Sequence, residues 1–513
     1  MRPLEASFVD NLTAVRPDLV PGFTAALPGA RAAVMARLWR SLLFERQLAA
    51  RVAGRVHGPE LRAYDVGTPK GELALYLDGR EYTHPAALLI ALGLTGSGPL
   101  AAELDHSVAS LALSRAGAAL RTDAAPAPDE SLVAREQSVV DGHPYHPCCR
   151  SRPGFSVADQ LAYAPEHRQQ VPLGLVAVPA AECVTVGDWP KWLREEDGRV
   201  LLPAHPWQLR EILPRLGFTA TGATVAAHPL MSVRTLAPVD GGPHLKTSLS
   251  LRMTSAVRDI SGESILNSAP LSALLEELCG RLDGALRVTR NLAAAAATTA
   301  GGAPAPELAV LVRESPELYA GRGERVVPLA ALAEHPLPEL ADPLGWLREL
   351  AALAWPPLLQ LLAWGVALEA HGQNLLVVLD REHRPRRLVY RDLADVRVSR
   401  TRLAACGVRP SALGGHVLDD DPVALRRKLF GSVLGSSFST LVSAFGRGER
   451  EYEDRLWAVV AAEADTAAEV LSDEDRRALL REPLPAKSLA LMRFDPRIPG
   501  DQWTSLPNPL AIG

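Results

Sequence analysis

Apolar residues recur at helical spacing along several long stretches of this chain. Recurrence at every third or fourth residue places apolar side chains on one helix face, so each stretch is predicted to form a helix. The predicted helices cover Ala32 to Ala53, Ala101 to Leu120, Ser264 to Leu282, Leu425 to Phe445 and Asp454 to Leu471. Another helix is predicted to begin at Asp342-Pro343, to be interrupted at Pro356-Pro357, and to restart and run through Glu369.

Shorter apolar or alternating runs predict strands between these helices. They are Gly71 to Leu77, Val171 to Val178, Thr219 to Val225, Leu245 to Met253, Leu308 to Val312, Leu375 to Leu379 and Arg387 to Tyr390. The Ala-, Pro- and Gly-rich stretch from Ala294 to Pro306 is interpreted as a linker. Because helices, mixed elements and then a strand pair with helices follow one another, the sequence predicts an α+β fold rather than a doubly wound sheet.

The composition is that of a soluble globular protein. The 513 residues are 47% hydrophobic and 22% charged, which excludes global disorder, and suggest about three domains or one multi-lobed enzyme. A net charge of -5 argues against a nucleic-acid-coating protein. Five cysteines are too few and scattered for a disulfide scaffold, and no apolar run approaches the roughly 18 residues of a membrane span. We therefore expect a reduced, cytoplasmic protein without nucleic-acid or membrane partners.

Lysine is rare in this sequence. The chain has 54 basic residues, but its lysines are only Lys70, Lys191, Lys246, Lys428 and Lys487. An ordinary surface position is the default interpretation of each one. Any lysine with a function has to be identified by its surroundings.

The first chemical motif is a His-Pro-rich loop. It contains His143 and His146, each followed by proline, and then Arg150 and Arg152. Proline after each histidine favours extended backbone, which excludes a helical zinc-protease pair. Two arginines two residues apart would face the same way in an extended chain and could bind a carboxylate or phosphate. The alternative is a polar loop with capping histidines.

The second motif lies on the predicted strand Leu245 to Met253. Its even positions are the hydrogen-bond donors Lys246, Ser248, Ser250, Arg252 and Thr254, without a single acid. Arg258 would lie about 40 Å from Lys246 on a straight strand, so a shared ligand requires a turn near Thr254-Ser255. A solvated sheet face is the alternative.

Two further clusters flank this strand in the sequence. Ser232-Val233-Arg234-Thr235 ends eleven residues before Lys246, close enough for one hairpin to join them. Later in the chain come Glu369, His371, Gln373, Asn374 and Asp392, whose oxygen atoms suit Mg²⁺ bound to nucleotide phosphates. A buried polar turn is the alternative for this second cluster.

Together these motifs resemble those of the IucA/IucC-type, NRPS-independent siderophore synthetases. The stretch Gly142 to Phe155 is similar to the family's GHPxHPxxKxRxGF, although Arg150 stands where the family usually has lysine. The other similar blocks, in family order, are His205 to Gln208, Ser232 to Thr235, Lys246 to Arg258, and His371 to Asn374 with Asp392, with a weaker one at Lys487 to Arg493.

The resemblance implies a multi-lobed, cupped-hand α+β fold of thumb, fingers and palm around a central ATP cleft. The expected domains are a mainly helical region at 1–141, a mixed region at 142–341 and a palm-like region at 342–513. Family members adenylate a carboxylate of citrate or a related polycarboxylic acid, or a succinyl hydroxamate. They then join it to an amine, hydroxylamine or alcohol, releasing AMP and pyrophosphate, and they are often homodimers.

The resemblance also implies the roles of individual residues. ATP would be bound by Ser232, Arg234, Thr235, Lys246, Arg258, His371, Gln373, Asn374 and Asp392. Mg²⁺ would be held by Glu369, Asn374 and Asp392. The acid substrate would contact His143, His146, Arg150, Arg152, Thr254 and Arg258. The catalytic residues would be Lys246, Arg258 and His371.

Two other functions fit parts of the pattern. A kinase-like phosphotransferase could use Asn374 and Asp392 as metal ligands, but the sequence has no Gly-rich loop and no aspartate at the base position. A non-catalytic protein that binds an anionic metabolite would use Arg150 and Arg152 and leave Glu369 without a role.

Overall fold

The computed structural model describes residues 1–66, 72–122, 131–195, 197–254, 256–336, 340–409, 412–494 and 500–511. Lys70 and Ser255 therefore lie outside the described residues. The chain mixes helices and sheets, which confirms the α+β prediction.

The N-terminal region is mainly helical. Its helices are Pro3–Val15 (α1), Val20–Phe44 (α2), Arg46–Val52 (α3), Pro85–Ala91 (α4), Ser97–Thr122 (α5) and Leu132–Gln137 (α6). Its strands Val56–His57 (β1), Leu75–Leu77 (β2) and Arg80–Tyr82 (β3) form a small antiparallel sheet. Helices α2 and α5 pack against each other along their lengths. Phe23 and Leu104 are fully buried in this core, which also takes in Ala490 and Phe494 from the end of the chain.

The middle region is built on an eight-stranded sheet. The strands of the whole region, inside and outside this sheet, are Val171–Val178 (β4), Cys183–Gly187 (β5), Val200–Ala204 (β6), Thr224–Pro229 (β7), Thr235–Pro238 (β8), His244–Thr247 (β9), Leu249–Met253 (β10), Ala256–Arg258 (β11), Leu286–Val288 (β12), Asn291–Thr298 (β13), Pro304–Arg313 (β14) and Arg325–Pro328 (β15). The large sheet has the order β5-β13-β14-β9-β8-β7-β4-β6, and β10 and β11 form a separate hairpin. The helices are Val157–Tyr163 (α7), Pro206–Glu211 (α8), Gly262–Leu266 (α9), Ser268–Gly280 (α10) and Leu329–Glu334 (α11).

The predicted linker from Ala294 to Pro306 is wrong, because it forms most of β13 and the start of β14. Ala293 to Ala297 are all buried, with alternate residues in the cores on opposite faces of the sheet. Alanine has low strand propensity, but its small side chain lets both faces be covered closely. The strand predicted at Thr219 is also displaced, since β7 begins at Thr224.

The C-terminal region contributes most of a further hydrophobic core. Its helices are Pro343–Trp364 (α12), Arg400–Ala405 (α13), Pro422–Ser432 (α14), Ser439–Gly446 (α15), Arg450–Ala467 (α16), Asp473–Leu480 (α17) and Leu491–Phe494 (α18). Its strands are Val366–Ala367 (β16), Leu375–Leu379 (β17), Pro385–Tyr390 (β18), Arg397–Val398 (β19), Leu484–Lys487 (β20) and Trp503–Leu506 (β21). A four-stranded sheet in the order β12-β18-β17-β15 combines strands from either side of residue 341, so this core spans the predicted domain boundary.

Helix α12 differs from its prediction at the Pro356-Pro357 pair and at its C-terminal end. It passes through Pro356 and Pro357 without interruption, since the carbonyls left without donors belong to Ala352 and Leu353 on its more exposed side. It ends at Trp364, where Gly365 has a φ of 100°. Glu369 is therefore not delivered by this helix.

Two helical segments, Pro17–Phe44 and Pro422–Gly446, are long and apolar enough to cross a membrane by these two criteria alone. The second is 72% buried within the protein and the first 44%. Both contribute fully buried side chains to the protein cores.

Candidate active site

The predicted hairpin around the Ser-Val-Arg-Thr turn is present. Strands β8 and β9 are antiparallel neighbours, and Thr235 is paired directly with Lys246. The Ser232 hydroxyl accepts a hydrogen bond from the Thr235 amide at 3.1 Å. Val233 has a φ of 68°, which is strained for a β-branched residue, and its buried side chain packs with Phe155 and Trp207.

The chain also turns after Met253, as required for Arg258 to approach Lys246. The predicted strand is in fact two strands: β9 stays in the large sheet, and β10 leaves it and pairs with β11. Thr254 occupies the turn with a φ of 54°. The Arg258 guanidinium donates to the Met253 carbonyl at 2.8 Å and to the Thr254 hydroxyl at 2.6 Å, so the turn holds this arginine.

Lys246 is not on a solvated face. Its side chain is only 3% exposed, and its ammonium donates to both carboxylate oxygens of Asp392, at 2.7 and 2.9 Å. Arg313 donates to the same carboxylate at 3.1 Å. Burial lowers the pKa of Lys246 to about 7 against the opposing effect of Asp392. Burial alone would raise the pKa of Asp392, but Lys246 and Arg313 hold it well below its usual value.

Glu369 is bound by two further lysines, the buried Lys428 and the partly exposed Lys487. Its Oε1 accepts from Lys428 at 3.2 Å and from Lys487 at 3.0 Å. Lys487 also contacts Asp501 at 3.1 Å, and Lys428 lies 3.8 Å from Asp395. Burial opposes ionisation of Glu369, but these two lysines hold its pKa below its usual value.

A buried tyrosine connects the two acidic positions. The Tyr390 hydroxyl accepts from the Glu369 amide at 3.2 Å and donates to the Asp392 carbonyl at 3.1 Å. Asp392 itself has a φ of 73°. Of the nine described non-glycine residues with positive φ, Val233, Thr254 and Asp392 lie where functional residues were predicted, and backbone strain of this kind is found at many ligand sites.

The loop between Glu369 and β17 presents the predicted nucleotide residues. Arg391 donates to the Gln373 carbonyl at 3.1 Å, and its amide donates to the Asn374 carbonyl, so β18 supports this loop. Burial lowers the pKa of His371, with Glu369 acting in the opposite direction. His371 is therefore a neutral imidazole at neutral pH.

The predicted Mg²⁺ ligands have suitable oxygen atoms, but two of them already have cationic partners. Carboxylate and amide oxygens are suitable ligands, but Glu369 and Asp392 are each paired with ammonium groups. Within the described part of the chain, no group of three or more His, Cys, Asp or Glu side chains is arranged to hold a metal. Mg²⁺ commonly uses one or two carboxylates together with phosphate oxygens, and the residues present fit that mode.

The histidines of the His-Pro motifs share one local geometry. In His84, His143, His146 and His205, Nδ1 accepts the backbone amide two residues further on, at 3.0 to 3.3 Å. This contact fixes the neutral tautomer with the proton on Nε2. Burial lowers the pKa of His143 to about 3 and that of His146 well below its usual value. The capping geometry and a donor role at Nε2 are therefore compatible.

Arg150 and Arg152 do not lie on the extended segment that the sequence analysis assumed. Both are buried in a turn rather than an extended segment. Arg152 binds the fully buried Glu166 through two contacts, at 2.8 and 3.1 Å, and Arg150 lies 3.5 Å from it. Arg150 also donates to the Val140 carbonyl at 2.7 Å. Both arginines thus pair with an internal carboxylate in this structure, and their contact with the acid substrate stays a prediction.

Arg234 likewise contacts the protein itself. One nitrogen of its guanidinium donates to the carbonyls of Arg258, at 2.6 Å, and Asp259, at 3.0 Å. Burial lowers its pKa to about 10. Arg234 therefore supports the end of the strand that carries Arg258.

Several of the other predicted residues lie close to one another. His371 and Arg258 both experience the charges of Glu369, Asp392 and Asp395. His143 lies within electrostatic range of His371 and Lys487, and His146 within range of Arg258. The His-Pro loop, the β8–β11 region and the loop after β16 therefore converge, with neutral imidazoles beside a dense set of paired charges.

The sequence analysis did not assign Arg313, Lys428, Lys487 or Asp395 to this site. Lysine scarcity was the available signal, because three of the five lysines converge here. Arg313 gave no signal, since 49 arginines obscure any single one.

Two family models match the chain. Residues 131–334 match the IucA / IucC family, and residues 345–501 match the family described as ferric iron reductase FhuF-like transporter. Between them, these two segments contain Lys246, Arg313, Glu369 and Asp392.

Named proteins are similar along most of the chain. Staphyloferrin A synthase of Staphylococcus aureus is 24% identical over 433 residues, covering 74% of this chain and 73% of that protein. L-2,3-diaminopropanoate–citrate ligase of the same organism is 26% identical, covering 65% of each. The structure of ATP-bound aerobactin synthetase IucA of Klebsiella pneumoniae has a TM-score of 0.72 at 18% identity, covering 94% of this chain and 99% of that one. Both family segments therefore lie within one shared fold.

Proposed function

We propose that this chain, which belongs to the IucA/IucC family of siderophore synthetases, is an ATP-dependent ligase that activates a carboxylate of citrate or a related polycarboxylic acid. It then joins the activated acid to an amine, hydroxylamine or alcohol in siderophore biosynthesis. The observation that carries this proposal is the convergence of Lys246, Arg258, Lys428 and Lys487 on the acids Glu369, Asp392 and Asp395, close to the histidines His371, His143 and His146. The relatives named for citrate ligation and the solved synthetase with bound ATP support it.

The first half-reaction brings two anions together. An oxygen of the acid attacks the α-phosphorus of ATP, the bond to pyrophosphate breaks, and an acyl-adenylate forms. Lys246 and Arg258 would offset the charge of the triphosphate, with the Ser232 and Thr235 hydroxyls as further donors. His371 and Asn374 would approach the nucleotide from the opposite loop.

Mg²⁺, bound by phosphate oxygens together with Asp392 or Glu369, would supply additional positive charge at the triphosphate. For Asp392 to contact a metal, Lys246, which binds both of its carboxylate oxygens, has to turn away. Lys246 would then exchange Asp392 for a phosphate oxygen, which keeps its charge compensated in a buried position.

The acid would lie against the His-Pro loop. His143 and His146 offer Nε2–H donors without adding charge, and Thr254 and Arg258 border the same space. In the second half-reaction, the nucleophile attacks the acyl carbon and AMP departs with the bonding electrons. Arg150 and Arg152 support this loop from below through Glu166.

The reaction products test this proposal. Purified protein is incubated with ATP, Mg²⁺ and single acids, with and without amines, and nucleotide products are separated. We expect AMP and pyrophosphate that depend on both acid and ATP. Formation of ADP would instead indicate a phosphotransferase. Acid binding by calorimetry that is indifferent to ATP, with no turnover, would indicate a metabolite-binding protein.

A further inference from the structure

Between α14 and α15 the helix changes its winding. Residues Val433–Phe438 form a π-helix, in which each amide bonds five residues back rather than four. In an α-helix, residues five apart point in clearly different directions, whereas the wider winding of a π turn brings them much closer to the same side. Ser432 and Ser437 are five apart and both buried. The π turn therefore brings Ser437 onto the helix face that already carries Lys428 and Ser432.

That helix face contacts the loop that carries Glu369 and His371. The Ser437 hydroxyl donates to the Ala370 carbonyl at 2.7 Å. Five residues earlier, the Ser432 hydroxyl lies 3.5 Å from the Leu368 carbonyl, and Lys428 binds the Glu369 carboxylate. Three consecutive residues of the loop, Leu368 and Ala370 through their carbonyls and Glu369 through its side chain, are thus contacted from α14 and the π turn.

The loop needs such support because it has little regular structure of its own. Residues 368–371 lie outside helices and strands, between β16 and the turn that leads into β17. A π turn is less favourable than continuous α-helix and is often found at functional sites. Regular α-helical winding would point Ser437 away and leave the Ala370 carbonyl without this donor.

We propose that Ser437, presented by the π turn, is a positioning residue for the loop that carries Glu369, His371 and Asn374. It acts through the Ala370 carbonyl and does not contact a substrate. The kinetic part of this inference rests on the proposed function, because that function assigns His371 and Asn374 to the nucleotide.

The kinetic test compares Ser437→Ala with Thr440→Val. Thr440 is a matched control, since its hydroxyl is buried on the same helix but donates only to the Ser436 and Ser437 carbonyls. Loss of the Ser437 hydroxyl should lower kcat/KM for ATP by about three- to tenfold, the usual effect of one hydrogen bond, with KM for the acid unchanged. Ser437→Thr, which keeps the hydroxyl, should recover most of this loss.

A second measurement does not depend on activity. Hydrogen exchange of the peptide covering residues 366–374 should be faster in Ser437→Ala than in the wild type, and unchanged in Thr440→Val. Equal kinetics and equal exchange in the two variants would overturn the proposal. If the wild type forms no pyrophosphate with any acid, the proposed function fails, while the exchange measurement still decides whether Ser437 holds the loop.

Discussion

Lys246 is deeply buried, and its charge has a different partner in the structure and in the proposed reaction. In the structure it neutralises Asp392, and in the proposed reaction it neutralises the triphosphate. This exchange explains how a lysine that is 3% exposed could still serve an anionic ligand. It also changes the reason for testing this residue, since truncation affects an ion pair as well as substrate binding.

Lys246→Met should lower the rate of pyrophosphate formation about 30- to 1,000-fold, corresponding to about 2–4 kcal/mol of lost transition-state stabilisation. Methionine preserves the length of the buried side chain, and Arg313 still pairs with Asp392. Steady-state pyrophosphate release measures the effect, with the exposed Lys191→Met as the control. Near-normal release from a folded Lys246→Met variant would assign Lys246 a structural role.

Arg152 is tested for stability rather than for substrate affinity. Arg152→Met leaves Glu166 as a fully buried carboxylate with weaker partners, which should reduce stability by about 3–5 kcal/mol. We expect a lower Tm, with KM for the acid unchanged among the molecules that remain folded. The exposed Arg168→Met serves as the control. A raised KM for the acid without a change in Tm would instead show that Arg152 binds the substrate carboxylate.

At the scale of elements, the sequence predicted the long amphipathic helices and the apolar strands well. Strand β4 has the predicted bounds, and α5 extends the predicted helix by a few residues at each end. Periodicity works there because one face is buried and the other is not. It fails for β13, where both faces are buried by alanine and no alternation remains.

In the candidate site, too, some residues could be identified from the sequence and others could not. Donor-rich motifs identified Lys246, Arg258 and the loop after Glu369, because their residue types are unusual for their positions. The partners of Arg150 and Arg152 could not be predicted, since Glu166 is joined to them by tertiary packing alone. A pattern of arginines looks the same whether its anion is a substrate or an internal glutamate.

Strand β13 provides a direct test of the sheet. Ala295 is fully buried in the sheet core, so Ala295→Leu should overpack it and reduce stability by about 1–3 kcal/mol. Ala300 lies in the exposed turn that follows, and Ala300→Leu should change Tm little. Thermal unfolding of both variants makes the comparison. Equal Tm values would support the linker interpretation.

At the scale of the whole molecule, buried neutral histidines predict sensitivity to acid. Burial lowers the pKa of His143, His205 and His244 to about 3, and that of His106 and His167 to about 4. Because these folded-state values lie below the unfolded value of about 6.5, the unfolded chain takes up protons first. Stability is therefore fully present above about pH 6.5 and is lost as the pH falls toward 4.

Each such histidine should remove on the order of 1 kcal/mol of stability at pH 5.5. We expect Tm to fall clearly between pH 7.5 and 5.5. His205→Asn keeps an acceptor for the Trp207 amide but does not titrate, so its Tm should fall less over the same interval. A Tm independent of pH in this range would contradict the buried, neutral state of these histidines.

The participation of Ala490 and Phe494 in the N-terminal core has a consequence for biosynthesis. Synthesis proceeds from the N-terminus, so α2 and α5 leave the ribosome long before these two residues exist. The helices must keep part of their apolar surface uncovered while more than 300 further residues are made. Contacts between such distant residues also form slowly, because a long loop has to close first. We therefore expect completion of this core to be a late folding event, and the nascent N-terminal region to be a substrate for chaperones.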